Sequence, residues 1–427
     1  MSYFGIPIRN GLPIGLGSVA PLASGGGSPF SPLSLFSGGA PGAWYDPSDF
    51  TTLFQDSAGT TPVTAVEQPV GRMLDKSGNG NHAFQATSAS RPVLRARYNL
   101  LTKTEDLANP AWEKTSTTVT TATTATIAAG GRIAQYFNAT VLQYTTRVSL
   151  SGSGTVEVKL MTAGYAGVAF QIITLSATPQ VVTLIGTPPG GSTLIGLAIS
   201  STAGASITVA EPDLRVSNDG ITQPVYQRVN TATDYATAGF LPYLKFDGVD
   251  DSLSTNSISF TSTDKMSVFA GVRKLSDTAY QVVSELSTNS ATQNGAFSFL
   301  ATSGAGPSVS NALGFGLRGS AAAAYDATSF PAPSSYVMSS QFDIGGAAIV
   351  DEIKPRINGA IPTLTSTGAA NAGTGNFGNY PLFIGRRNNA SLPFNGQLYS
   401  MIVVGKAVTN GELSSTETYV NQKTGAY

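Results

Sequence analysis

Cysteine is absent from this chain of 427 residues, which excludes disulfide staples and thiolate metal sites and leaves the redox compartment open. Histidine occurs once, at His82, so a Ser–His–Asp triad or an imidazole-ligated metal has a single residue to draw on. Charged side chains make up 11% of the sequence, against roughly 25% in ordinary soluble domains. The net charge is −1 and no basic run occurs, so the electrostatic footprint of a nucleic-acid binder is missing. No apolar run reaches the roughly 18 residues that span a bilayer, and no membrane insertion is expected. The first residues carry Arg9, scattered prolines and no continuous apolar stretch, so no secretory signal peptide is expected. Coil repeats of the β-helix kind are missing as well.

Hydrophobic residues nonetheless supply 41% of the chain, too many for a disordered one. Glycine is abundant, at 47 residues, alongside Ser, Thr and Ala, which predicts many short strands joined by small-residue turns. Residues 1–40 mix Pro and Gly with Phe4, Ile6, Ile8, Leu12, Ile14 and Leu16 at irregular spacing. Proline removes backbone donors and glycine weakens regular elements, yet the apolar content is too high for a solvated linker. The reading is an extended arm that orders against a partner subunit; a floppy terminus is the alternative.

Residues 41–97 hold turn signals at Asp46-Pro47, 56–59 and 77–81 with short strands between them. Residues 98–230 carry strands at roughly ten-residue intervals broken by Gly or Pro, the spacing of a β-sandwich. Residues 231–427 resume the first style and close with the one clear helix, over 410–422. Thr409 with Glu412 forms its capping box and Gly425 its stop. The fold class expected is all-β: two β-sandwich or jelly-roll domains, an extended N-terminal arm and a short C-terminal helix.

Several motifs carry a family resemblance. GAWYDPSD, LDKSGNGNHAFQ, FDGVDDSL, INGA at 357–360, PLFIGRR, FNGQLYSMIVV and the closing helix resemble the laminin-G-like (concanavalin A-like) jelly roll of phage virion proteins. NLLTKTEDLANPAW and VYQRV resemble the start and end of the carbohydrate-binding-module-like sandwiches of phage tail and fibre proteins. The two resemblances interleave. The organisation expected is therefore a discontinuous jelly roll, residues 41–97 plus 231–427, carrying an inserted sandwich at 98–230, with residues 1–40 anchoring to the virion through Phe4, Ile6, Ile8, Leu12, Ile14 and Leu16. Insertion at a surface loop is tolerated because domain termini lie close together, and residues 41–97 alone are too few to bury a core. Three domains in series is the alternative.

The candidate chemistry is sparse. His82 follows a Ser-Gly-Asn-Gly-Asn turn, where it reads as the first residue of a strand. Gly314-Phe-Gly-Leu-Arg-Gly319 fits a dinucleotide fingerprint only if a strand precedes it and a helix follows, and neither context is expected; Gly15–Ala20 runs into Pro21. Asp247, Asp250 and Asp251 offer close-spaced carboxylates of the kind calcium takes, or a solvated turn in which one Asp caps backbone amides. Glu105, Asp106 and Asp213 lie near the two ends of the inner sandwich, where the resembling modules often hold a structural calcium. Sugar binding would use aromatics such as Trp44, Tyr45, Trp112, Tyr165 and Tyr380, with the loop Arg386, Arg387, Asn388 and Asn389 as the best surface candidate; core packing is the competing role for each Trp.

The function these readings imply is that of a non-enzymatic structural protein of a tailed-phage virion, a tail fibre, spike or head decoration, at the particle surface. Its expected partners are capsid, portal or tail subunits and its own copies, as a trimer, together with host surface polysaccharide. No cofactor is expected beyond a structural calcium. The alternatives are a free or cell-surface carbohydrate-binding protein and a glycan depolymerase.

Overall fold

The computed structural model describes residues 30–139, 142–162, 167–217, 226–303 and 311–427. Short strands open the chain: β1 (Gly42–Tyr45), β2 (Leu53–Phe54), β3 (Arg72–Met73), β4 (Ala83–Phe84) and β5 (Val93–Arg95). Longer ones follow as β6 (Glu113–Val119), β7 (Thr124–Asn138), β8 (Tyr144–Thr162), β9 (Gly167–Thr174), β10 (Gln180–Gly186), β11 (Leu194–Ser201) and β12 (Ala205–Val216). The remainder supplies β13 (Tyr243–Asp247), β14 (Leu253–Ser259), β15 (Lys265–Lys274), β16 (Gln281–Leu286), β17 (Ala296–Ser303), β18 (Ala312–Arg318), β19 (Ala322–Ala327) and β20 (Ser334–Asp343). After the single turn α1 (Ile349–Glu352) come β21 (Ile353–Ile357), β22 (Leu364–Gly368), β23 (Asn379–Ile384), β24 (Asn395–Val404) and the helix α2 (Asn410–Thr424). The class is all-β.

Three sheets result. The back sheet runs β21-β20-β15-β24-β13-β5, with β1 also on β24, and the ten-stranded front sheet runs β2-β3-β4-β14-β23-β16-β17-β18-β19-β22. Between their faces lies one core, including Leu94, Phe246, Val268, Ala270, Met401 and Val403 from the back and Phe297, Phe299, Phe315, Leu382 and Ile384 from the front. On its other face the back sheet presents Phe269, Val337, Ile402 and Val404 to Leu413 and Val420 of α2. Strands β15 and β24 are thus covered on both sides, which explains why MSVFAGV and LYSMIVV read as near-continuous apolar runs instead of alternating ones.

The third sheet is built only from β6 to β12, around its own core that includes Trp112, Val148, Leu160, Ile199 and Leu214. Its layers are joined by two long strands that turn a corner. The first half of β8 pairs β10 and β12, and the second half pairs β9 and β11. At that corner Gly152 has φ +136, and a Cβ there would lie 2.0 Å from the Ser206 carbonyl oxygen, so only glycine fits. Strands β5 and β13 pair directly, Leu94 opposite Leu244, although the whole third sheet lies between them in the sequence. The ends of that segment are clamped together: Gln227 Oε1 accepts the Tyr98 and Asn99 amides at 2.8 and 3.0 Å, and Asn99 Nδ2 donates to the Gln227 carbonyl at 2.8 Å. Both side chains are fully buried.

The N-terminal arm needs a correction at its boundary. Residues 32–36 form a 3-10 turn whose Leu35 and Phe36 are buried against Trp44 and α2, so residues 30–40 belong to the packed body. The anchoring candidates Phe4, Ile6, Ile8, Leu12, Ile14 and Leu16 lie outside the described residues.

Candidate functional site

The segment LDKSGNGNHA is organised by one carboxylate. Asp75 Oδ1 accepts the Trp44 and Ser77 amides at 2.9 and 2.8 Å, and Oδ2 accepts the Ser77 hydroxyl and the Asn81 amide at 2.7 and 3.0 Å. The turn it holds places Gly78 and Gly80 at φ +88 and +76, a region glycine enters without a Cβ penalty. Asn81 is then pinned, its Nδ2 donating to the Gly42 carbonyl at 2.8 Å and its own carbonyl accepting the Tyr45 hydroxyl. His82 follows, and its Nδ1 accepts the Asp75 amide at 3.0 Å. A nitrogen that accepts carries no proton, so the neutral ring presents Nε2–H outward. Partial burial, then the Arg72 charge, holds the imidazole below its ordinary pKa against the pull of Asp75. His82 is therefore a fixed, neutral donor near pH 7.

That donor faces an open cleft of about 400 Å³ at the β2-β3-β4-β14 end of the front sheet, lined among others by Ser57, Arg72, Asn81, Phe84 and Asn256. The volume falls in the range of roughly 300–1,000 Å³ usual for small-ligand pockets. Arg72 Nη1 donates to the Ala58 and Ser57 carbonyls at 3.0 and 3.4 Å, which fixes the guanidinium plane. Among the described residues no carboxylate lines the cleft. The arrangement offers a cation, a neutral imidazole donor, an amide and a phenyl ring, which suits binding a hydroxyl-rich ring. Because Nδ1 accepts the Asp75 amide, His82 makes no Nδ1–H contact to a carboxylate of the kind that orients a triad base.

The FDGVDD turn and the Arg386 loop, read separately in the sequence, meet in space. Asp247 Oδ1 accepts the amides of Val249, Asp250 and Asp251 at 2.8, 3.2 and 3.3 Å, and Asp251 Oδ2 accepts the Asp247 amide at 2.9 Å. Asp250 accepts the Ser90 hydroxyl at 2.7 Å, and Arg386 donates to the Asp250 carbonyl at 3.4 Å. Arg387 pairs with the buried Glu285 at 2.7 Å, and Asn389 donates to Ser254 at 3.0 Å. The three carboxylates bring one oxygen each within 4.8 Å of one another, and most of their capacity is spent on the turn itself. Burial, then the Asp247 charge, pushes Asp251 up to about 7. Burial, then Arg95, pushes Lys245 down to about 8. Of the four candidates Arg386, Arg387, Asn388 and Asn389, Asn388 alone is exposed, at φ +50.

The other candidates are spread out. Tyr380, whose hydroxyl donates to the Asn294 carbonyl at 3.0 Å, stands six residues before Arg386, about 20 Å along an extended chain. Asp213 is held by Arg215 at 2.7 Å and by the Gln227 amide at 3.0 Å, and Glu105 accepts from Tyr226 at 3.4 Å. With Asp106, which sits in the turn after Lys103, they form no three-ligand cluster among the described residues. Trp44, Tyr45 and Trp112 are buried, and Tyr165 lies outside the described residues. Asp46 of the GAWYDPSD motif latches α2, accepting the Tyr419 hydroxyl at 3.0 Å and pairing with Lys76 and Lys423. Gly314 and Gly316 fall inside β18, which is followed by another strand, so the G-x-G-x-x-G spacing has no nucleotide-binding context.

The sequence reading missed the cleft because Ser57, Arg72, His82 and Asn256 become neighbours only through sheet pairing. The available signal was the LDKSGNGNHA turn, whose glycines and lone histidine demanded a tightly held backbone.

No family model matches the sequence, and no curated protein matches it. Among solved structures, a carbohydrate-binding module of family CBM4 is 17% identical, over 25% of this chain and 95% of that one, with a TM-score of 0.22. The CBM40 of Ruminococcus gnavus IT-sialidase bound to α2,3-sialyllactose is 14% identical, over 36% and 83%, with a TM-score of 0.28. The botulinum neurotoxin serotype C1 binding domain is 11% identical, over 42% and 43%, with a TM-score of 0.30. At these identities and TM-scores the likeness says nothing of what this chain does.

Proposed function

We propose that this chain is a non-enzymatic β-sandwich protein of a phage particle surface that binds host glycan in the Arg72–His82 cleft. The observation that carries the binding role is that cleft, open and, among the described residues, free of carboxylates, with His82 aimed by the Asp75-centred turn and Arg72 held by the 57–58 carbonyls beside Phe84. Glycans are bound through such combinations of polar side chains and ring faces. The motif resemblance over residues 41–427 supports the virion setting. In this reading the jelly roll is discontinuous, the third sheet is an inserted sandwich, and the chain ahead of residue 30 attaches to the particle. Assembly as a trimer would present several clefts together, and multivalency raises avidity without new contacts.

Two measurements test the reading. Peptide mass mapping of purified particles is expected to find this chain; its absence there would leave a free carbohydrate-binding protein. A glycan array probed with the full chain is expected to show binding that Asn256→Trp, which fills the cleft, abolishes. Hydrolysis of host polysaccharide by the purified chain would overturn the non-enzymatic role.

A further inference from the structure

We propose that the cleft is built for an anionic sugar, one whose carboxylate seats between the Arg72 guanidinium and the His82 Nε2–H. This deepens the glycan-binding reading and rests on it. Arg72 lines the cleft; its Nη1 is engaged by the 57–58 turn, its Nε is buried behind the cleft wall without a partner, and no hydrogen bond from Nη2 occurs among the described residues. The guanidinium is therefore oriented by the protein while part of its donor fork remains unspent. His82 adds a second donor whose direction is set by the Asp75 amide on the opposite ring nitrogen.

Both nearby aspartates are committed elsewhere. Asp75 takes four donors, and Asp56 takes the amides of Gly59, Thr60 and Thr61 at 2.7, 3.1 and 2.6 Å. Neither is among the residues lining the cleft; the Asp75 charge reaches His82 from behind the ring, and the Arg72 cation stands on the cleft wall to offset it. Hydrogen bonds from a cation to a carboxylate are roughly twice as strong as neutral ones, and a site that leaves guanidinium donors unpaired discriminates against a ligand unable to use them. Phe84 and the Asn256 side-chain amide remain for the sugar ring and its hydroxyls. A uronic or sialic acid unit fits this set.

The test is calorimetric titration of the full chain with oligogalacturonate, sialyllactose, the neutral oligogalactose and lactose, and a glycerol-phosphate oligomer. Binding of a carboxylated sugar at least tenfold tighter than its neutral counterpart is expected. The Asn256 side chain is exposed and makes no hydrogen bond among the described residues, so its variants are expected to report on the cleft without unfolding the chain. Asn256→Asp should weaken the carboxylated ligand about five- to tenfold, as like charges in a partly solvated site do, and Asn256→Lys should strengthen it. Arg72→Gln should abolish the preference. Equal or tighter binding of neutral sugars, with no response to the charge at position 256, overturns the anionic assignment and leaves the glycan reading standing. Preference for the glycerol-phosphate oligomer overturns the carboxylate in favour of phosphate. Binding of no sugar in the panel overturns the glycan reading itself.

Discussion

At the scale of residues, two carboxylates show how position decides use. Asp75 spends all of its acceptor capacity on the turn that aims His82, and needs no further partner. Asp251 is buried at the end of a turn whose Asp247 is exposed, and burial, then the Asp247 charge, pushes its carboxyl up to about 7 from 3.8. The folded chain therefore binds the carboxyl proton more tightly than the unfolded chain does. Its stabilising contribution is complete below about pH 4 and is lost as pH rises through about 7. Lys245, pushed down to about 8 from 10.5, acts in the opposite sense, its contribution returning as pH rises from 8 towards 10.5. Asp251→Asn keeps an acceptor for the Asp247 amide and removes the charge. In urea unfolding from pH 4 to 8, the variant is expected to gain on the wild type steadily as pH rises. A gap that does not change with pH would show that Asp251 ionises normally.

At the scale of elements, the closing helix was legible in the sequence almost to its ends. The expected span 410–422 is observed as Asn410–Thr424, with the Thr409–Glu412 capping box and Gly425 in the left-handed region at φ +61. Caps are set by contacts within a turn, so they can be read locally. What the helix packs on could not be. Glu417 is buried in it, accepting Ser339 at 2.6 Å and Arg356 at 2.8 Å, contacts 78 and 61 residues away in sequence. Thr409→Ala should cost about 1 kcal/mol, the usual loss of an N-cap. Arg356→Ala should cost more, about 2 kcal/mol, because it leaves a buried carboxylate short of its cation. Chemical unfolding midpoints in that order would support the assignment, and the reverse order would show that Arg356 is solvated in place.

At the scale of the whole molecule, the end of the presumed arm proves to be core. Removing residues 1–29 leaves every contact among the described residues in place, whereas removing residues 1–40 strips Leu35 and Phe36 from beneath α2. Two buried apolar side chains are worth about 1.5–3 kcal/mol each, so the longer deletion should unfold at clearly lower urea than the shorter one. Equal midpoints would mean that the 3-10 turn is dispensable. If the attachment reading is right, the shorter deletion already abolishes incorporation into particles.

The sequence by itself determined the all-β class, the turn positions, the strand-rich middle segment and the capped helix, because each depends on alternation or on residues within about four positions of one another. It also held the NLL and YQR motifs, though not their purpose: Asn99 and Gln227, 128 residues apart, clamp the two ends of that segment. The tertiary structure decided which turns meet. Ser90 reaches Asp250 across 160 residues, and Gln85 reaches Ser252 across 167, because β4 and β14 are neighbours in the front sheet. Such pairings follow from burying one shared core between two sheets, a global condition that no local pattern encodes. The Arg72–His82 cleft is a product of that condition.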